Sequence, residues 1–163
     1  MAGLGRPTSY YYESPKLGSS GCTVKSCSEA ILNIGNPAIW WAFIPAIIVA
    51  LLVLVLKRDW RFGALLVVFG AGYFPWFMYP NRTMFYFYAL SFEPFLILLL
   101  AGVLGLALSG ARGSVLRARL GVTLVAIYLV GVLVLSAYFM PLWTAQVIPY
   151  EQWYSHMWFK SWI

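Results

Sequence analysis

Four apolar stretches, Ala38–Leu56, Phe62–Tyr79, Met84–Leu108 and Leu120–Met140, decide the solvent this chain must fold in. A bilayer core takes roughly 20 apolar residues per helical crossing. At about 1.5 Å of rise per residue each stretch is long enough to supply one, and the third has length to spare. The composition agrees, with 62% hydrophobic and 10% charged residues, where soluble domains carry about 25% charged. The sequence therefore predicts an all-α integral membrane protein. Four transmembrane helices fill residues 38–140, between a polar tail at 1–37 and an aromatic tail at 141–163.

Basic residues set the orientation, because Lys and Arg close to span ends stay on the cytoplasmic side. Lys57, Arg58 and Arg61 join the first two spans, and Arg112, Arg117 and Arg119 join the last two. The opposite side has only Arg82 in its short loop, with Lys25 and Lys160 further out. Both tails are thus expected outside the cytoplasm, in a multi-pass protein of the cell membrane. The net charge of +6 is largely spent on this asymmetry. No soluble basic face remains for nucleic acid.

The polar tail at 1–37 has no apolar core of a cleaved signal peptide. Its export is most simply explained by preceding transmembrane helices, so Met1 reads as a start inside a longer chain. Cys22 and Cys27 lie in this tail, and an oxidising compartment favours a small disulfide loop between them. Two free thiols are the alternative, and a metal site is disfavoured because His156 is the single histidine.

Asn36 before Pro37 reads as the N-cap of the first span, with Trp40 and Trp41 at the membrane interface. Pro45 and Pro75 fall inside spans and should bend them. The second bend would bring Trp76 and Tyr79 toward Arg82.

Arg82 is the most unusual charge in the chain. The segment Tyr79–Tyr88 sets a cation, an amide, a hydroxyl and five aromatic rings at the outer membrane boundary. If Thr83 caps the third helix, Arg82 and the first-turn N–H groups together form a surface suited to phosphate. Equally, Arg82 can simply reach lipid phosphates within an ordinary aromatic belt. Asn81-Arg82-Thr83 also matches a glycosylation pattern, which its place against the membrane makes a chance match.

Glu93, followed by Pro94, lies roughly ten residues into the third run, about 15 Å from its start. A carboxylate at that depth would face a bundle interior or a wet cavity. It lies near the surface instead if the third span begins at Pro94 and Met84–Leu90 forms an interfacial helix. After Pro149, the spacing of Tyr150, Trp153, Tyr154, Met157 and Trp158 predicts an amphipathic helix. It lies in the outer interface or docks on the bundle, and His156 falls on its polar face. Glu13, Glu29 and Glu151 are isolated acids, and no catalytic triad, phosphate loop or metal motif is present.

Several segments together resemble the C-terminal four-helix part of actinobacterial protein O-mannosyltransferases. They are Arg6-Pro7-Thr8, the Gly21–Ser28 loop, Asn36-Pro37 to Trp40-Trp41, Asn81–Tyr88, Glu93-Pro94-Phe95 and Trp143–Tyr150. The resemblance covers essentially the whole chain, with the Arg82 and Trp143 stretches its most specific parts. It implies a polytopic glycosyltransferase of the C-type superfold that moves mannose from polyprenyl-phosphate mannose to Ser or Thr of exported proteins, with inversion at the sugar and no cofactor beyond that donor. In that family an acidic residue of the first outer loop is the base. That loop belongs to N-terminal helices, so no residue here takes the role, and the segment alone is expected to be inactive.

The resemblance gives Arg82 a ligand, the donor phosphate, with Asn81, Tyr79 and Tyr86 as helpers. The implied partners are membrane lipid, donor, acceptor protein and the N-terminal remainder of the enzyme. Two other functions remain open: a non-enzymatic four-helix scaffold, and a small transporter built on a mid-span Glu93.

Overall fold

The computed structural model describes residues 7–19, 21–78, 86–109 and 115–163, with Tyr86 and Phe87 described in backbone only. Helices α1 (Pro37–Lys57), α2 (Trp60–Tyr73), α3 (Glu93–Ser109) and α4 (Val115–Trp143) follow the four apolar runs. Ahead of them lie strands β1 (Ser9–Glu13) and β2 (Cys27–Leu32). After them come β3 (Ile148–Pro149) and the short α5 (Tyr150–Ser155). The chain divides into two compact units, one of residues 1–40 with 131–163 and one of residues 41–130.

The start of α1 follows from Asn36 and Pro37. Asn36 Oδ1 accepts from the Ala38 N–H at 2.9 Å, and Pro37 in the first turn needs no N–H of its own. The Asn36 amide also donates to the Val132 carbonyl at 2.9 Å and to Ser136 Oγ at 2.8 Å, which ties the cap to α4. Asp59 caps α2 by accepting from the Arg61 N–H at 3.1 Å. At the far end of α2 the α-helix gives way to a 3-10 turn over Phe74–Met78. Pro75 cannot donate to the carbonyl one α-turn back, and a tighter turn replaces the lost bond.

Among the described residues three helical stretches, Pro37–Lys57, Trp60–Met78 and Val115–Trp143, are long and apolar enough to cross a membrane. The third predicted span is corrected. Met84–Leu108 is not one helix, because Tyr86–Ser91 forms a 3-10 turn and α3 begins only at Glu93. The cause is Pro94, which fits a helix start far better than a helix interior. At 17 residues, α3 is about 26 Å long, just under the roughly 30 Å of a bilayer core.

In the unit of residues 41–130, α2 packs on α3. Leu96, Leu99 and Leu100 are buried at helical spacing along α3, and Phe62 is buried from α2. Two glycines allow the close approach. A side chain at Gly72 would come within 3.0 Å of Phe92 Cβ, and one at Gly102 within 3.3 Å of the Phe62 ring. Gly121 of α4 meets the backbone oxygen of Ala107, where any Cβ would collide.

The other unit holds structure that the sequence did not announce. β1, β2 and β3 form an antiparallel sheet in that order, with Tyr12 opposite Ala30, Glu13 opposite Glu29 and Ser28 opposite Ile148. Cys22 and Cys27 are joined by a disulfide whose Cα atoms are 6.0 Å apart. Ala30, Leu32 and Ile34 bury against Phe139 and Leu142 of α4 and against Ile148, Trp153, Met157 and Trp162 from the C-terminal segment. The two tails thus share one core. Trp143 Nε1 donates to the Ile34 carbonyl at 2.7 Å and fixes their relative position.

Candidate functional site

The predicted phosphate site centres on Arg82. Arg82, Asn81 and Tyr79 lie outside the described residues, and Tyr86 is described only as the first residue of the Tyr86–Ser91 turn. What the structure does define is the frame on either side of them.

That frame is aromatic. Trp76, from the turn that ends α2, lies on Tyr88 with ring centroids 4.5 Å apart and planes inclined by 35°. Beneath them Phe69, Tyr73 and Phe92 form a second cluster, with Tyr73 5.3 Å from Phe69 and 5.6 Å from Phe92. Phe69 and Phe92 meet edge to face at 5.8 Å. The chain therefore leaves α2 and returns to α3 through contacts within one unit. Both ends of the Arg82 stretch are fixed by ring packing.

Glu93 is the first residue of α3. The preceding turn is closed by Phe92 N–H donating to the Ala89 carbonyl at 3.1 Å, and Leu96 N–H returns to the Phe92 carbonyl at 3.3 Å. A carboxylate in a first helical turn complements the helix dipole.

His156 is corrected outright. It was expected on a polar helix face but is 1% exposed, because α5 ends at Ser155 and the chain then folds back against α4. Its ring stacks on Tyr138 at 4.2 Å. Nδ1 lies 2.6 Å from the Gln152 carbonyl oxygen and Nε2 2.8 Å from that of Tyr138. Tyr138 OH donates to the Ser155 carbonyl at 2.9 Å. These contacts hold the C-terminal segment in place.

The predicted amphipathic stripe splits. Trp153 and Met157 are buried, Tyr150 and Tyr154 are exposed, and the partly exposed Trp158 meets the Phe139 ring of α4 at 5.2 Å, so the segment docks on the sheet and α4 through three of its five apolar positions. Glu13 and Glu29 are not isolated, since the strand register sets them opposite one another. Partial desolvation, and then these two carboxylates, push the Tyr11 hydroxyl above its ordinary value. Among the described residues no group of three or more His, Cys, Asp or Glu converges as metal ligands would.

Sequence comparison gives this arrangement its relatives. Over 96% of its length the chain is 36% identical to a polyprenol-phosphate-mannose–protein mannosyltransferase of Mycolicibacterium smegmatis and 33% identical to one of Mycobacterium tuberculosis. A protein of the same name from Corynebacterium glutamicum is 34% identical over 97% of the chain. The resemblance drawn from the Arg82 and Trp143 stretches is borne out. The chain spans 30% of the length of each of these relatives. No family profile matches the chain, and no solved structure matches it.

Proposed function

We propose that this chain is the C-terminal membrane portion of a protein O-mannosyltransferase, and that it holds the lipid-linked donor. The observation carrying the reading is the 33–36% identity across nearly the whole chain to enzymes so named. In this account Arg82, at the outer membrane boundary, binds the phosphate of polyprenyl-phosphate mannose. Asn81, Tyr79 and Tyr86 complete its surroundings.

The chemistry suits a guanidinium at that place. As a Ser or Thr hydroxyl of an exported protein attacks the sugar carbon, the bond from that carbon to the phosphate oxygen breaks and negative charge grows on the phosphate. A fixed cation with two parallel N–H donors stabilises that charge more in the transition state than in the bound donor. The hydroxyl proton passes to a base outside this chain, which leaves donor binding and leaving-group stabilisation as its share of the work.

The test is transfer of mannose from purified polyprenyl-phosphate mannose to a Ser/Thr-rich acceptor peptide, in membranes that carry the full-length protein. Incorporation above that of membranes lacking it is expected. Equal incorporation in both would overturn the reading.

A further inference from the structure

The turn between α1 and α2 gathers Lys57, Arg58 and Arg61 around a single acid, Asp59, for a formal local charge of three cations minus one carboxylate, or +2. All three cations are exposed, and Asp59 already accepts the Arg61 N–H as the cap of α2. Arg58 stands at φ 52°, a left-handed conformation in which glycine is usual and a side chain is strained. Trp60, in the midst of these charges, is 74% exposed. An exposed tryptophan beside basic residues at the start of a membrane helix marks headgroup level.

Immediately inward lies a cavity of about 270 Å³ between α2 and α3, with Asp59 and Arg61 at its polar edge. Its apolar walls are Phe62, Leu65, Gly102, Gly105 and Leu106. The two glycines differ. The volume a side chain would take at Gly102 is closed by the Phe62 ring at 3.2 Å, whereas nothing lies within 4 Å of the corresponding point at Gly105. The groove is therefore apolar, open over Gly105 and cationic at one end.

We propose that this groove binds an anionic phospholipid, its phosphate on Arg61 within the field of Lys57 and Arg58, and one acyl chain lying over Gly105. Charge complementarity selects the headgroup and the apolar walls select the chain. A neutral phospholipid gains the second contact without the first, and free phosphate gains the first without the second. The site lies at the opposite ends of α2 and α3 from the Arg82 stretch, so the inference does not depend on the transferase reading.

Native mass spectrometry of the full-length protein in detergent tests it, with phosphatidylglycerol and phosphatidylcholine of matched acyl chains as probes. One phosphatidylglycerol should be retained, several-fold more tightly than phosphatidylcholine and undisturbed by inorganic phosphate. Arg61→Ala should weaken it about fivefold, the share of one surface cation. Gly105→Leu, which improves helix propensity while filling the groove, should weaken it several-fold, and Gly105→Ala should fall between. Should the leucine variant fail to fold, the Gly105→Ala and Arg61→Ala arms decide. Equal retention of the two lipids, displacement by inorganic phosphate, or unchanged binding in the foldable Gly105 variants would overturn the proposal.

Discussion

The Trp76 and Tyr88 rings meet with centroids 4.5 Å apart and planes inclined by 35°, and the residues that carry them flank the segment of the proposed phosphate contact. Such ring pairs contribute roughly 0.5–1.5 kcal/mol beyond simple burial. Removing either ring, by Trp76→Ala or Tyr88→Ala, should loosen the Arg82 stretch. Mannosyl transfer by the full-length protein should fall about two- to tenfold. A double-mutant cycle should show coupling of about 0.5–1.5 kcal/mol. Additive losses would mean the pair does not act as one clamp.

His156 should matter for stability. His156→Phe keeps a ring against Tyr138 but removes the nitrogens that face the Gln152 and Tyr138 carbonyls. The expected cost is about 1–3 kcal/mol, read as a lower thermal midpoint of the detergent-solubilised protein. An unchanged midpoint would show that these contacts are dispensable.

The orientation is open to direct labelling. Cysteines placed at Ser19 or Ser155 should react with an impermeant maleimide on intact cells, and one at Ser114 should not. Reaction at 114 alone would invert the topology and take Arg82 away from the outer face.

Cys22 and Cys27 should remain bonded in protein isolated without reductant, as mass spectrometry of alkylated peptides can read. The loop they close is short and constrains little of the unfolded chain, so transfer activity should survive Cys22→Ser with Cys27→Ser. Two alkylated thiols in the unreduced native protein would contradict the bonded state.

Hydropathy made α1 legible almost to the residue, because Asn36-Pro37 opens it and Lys57 closes it. The same signal failed over Met84–Leu108, since a running average cannot separate an interfacial turn from the helix behind it. The residues that mark the break, Glu93 and Pro94, were visible but allowed two depths. The sheet was not legible. Its strands are short, and β2 is held by a partner of two residues, Ile148–Pro149, over a hundred positions away, a pairing that no local pattern encodes. His156 was misplaced for a related reason. The apolar spacing runs helically to Trp158, but α5 stops at Ser155 and tertiary packing on Tyr138 decides where the ring goes.

Whether Arg82 holds the donor phosphate is read out by mannosyl transfer with purified polyprenyl-phosphate mannose in the full-length protein. Arg82→Lys keeps the charge but loses the planar fork, and Arg82→Ala removes both. A charge-assisted contact of this kind is worth about 1.5–3 kcal/mol, or about one to two orders of magnitude. Arg82→Ala should lose activity by that factor, Arg82→Lys should keep part of it, and both should insert into the membrane normally. Near-normal transfer by Arg82→Ala would contradict that contact and leave Arg82 an interfacial residue that meets only bulk lipid.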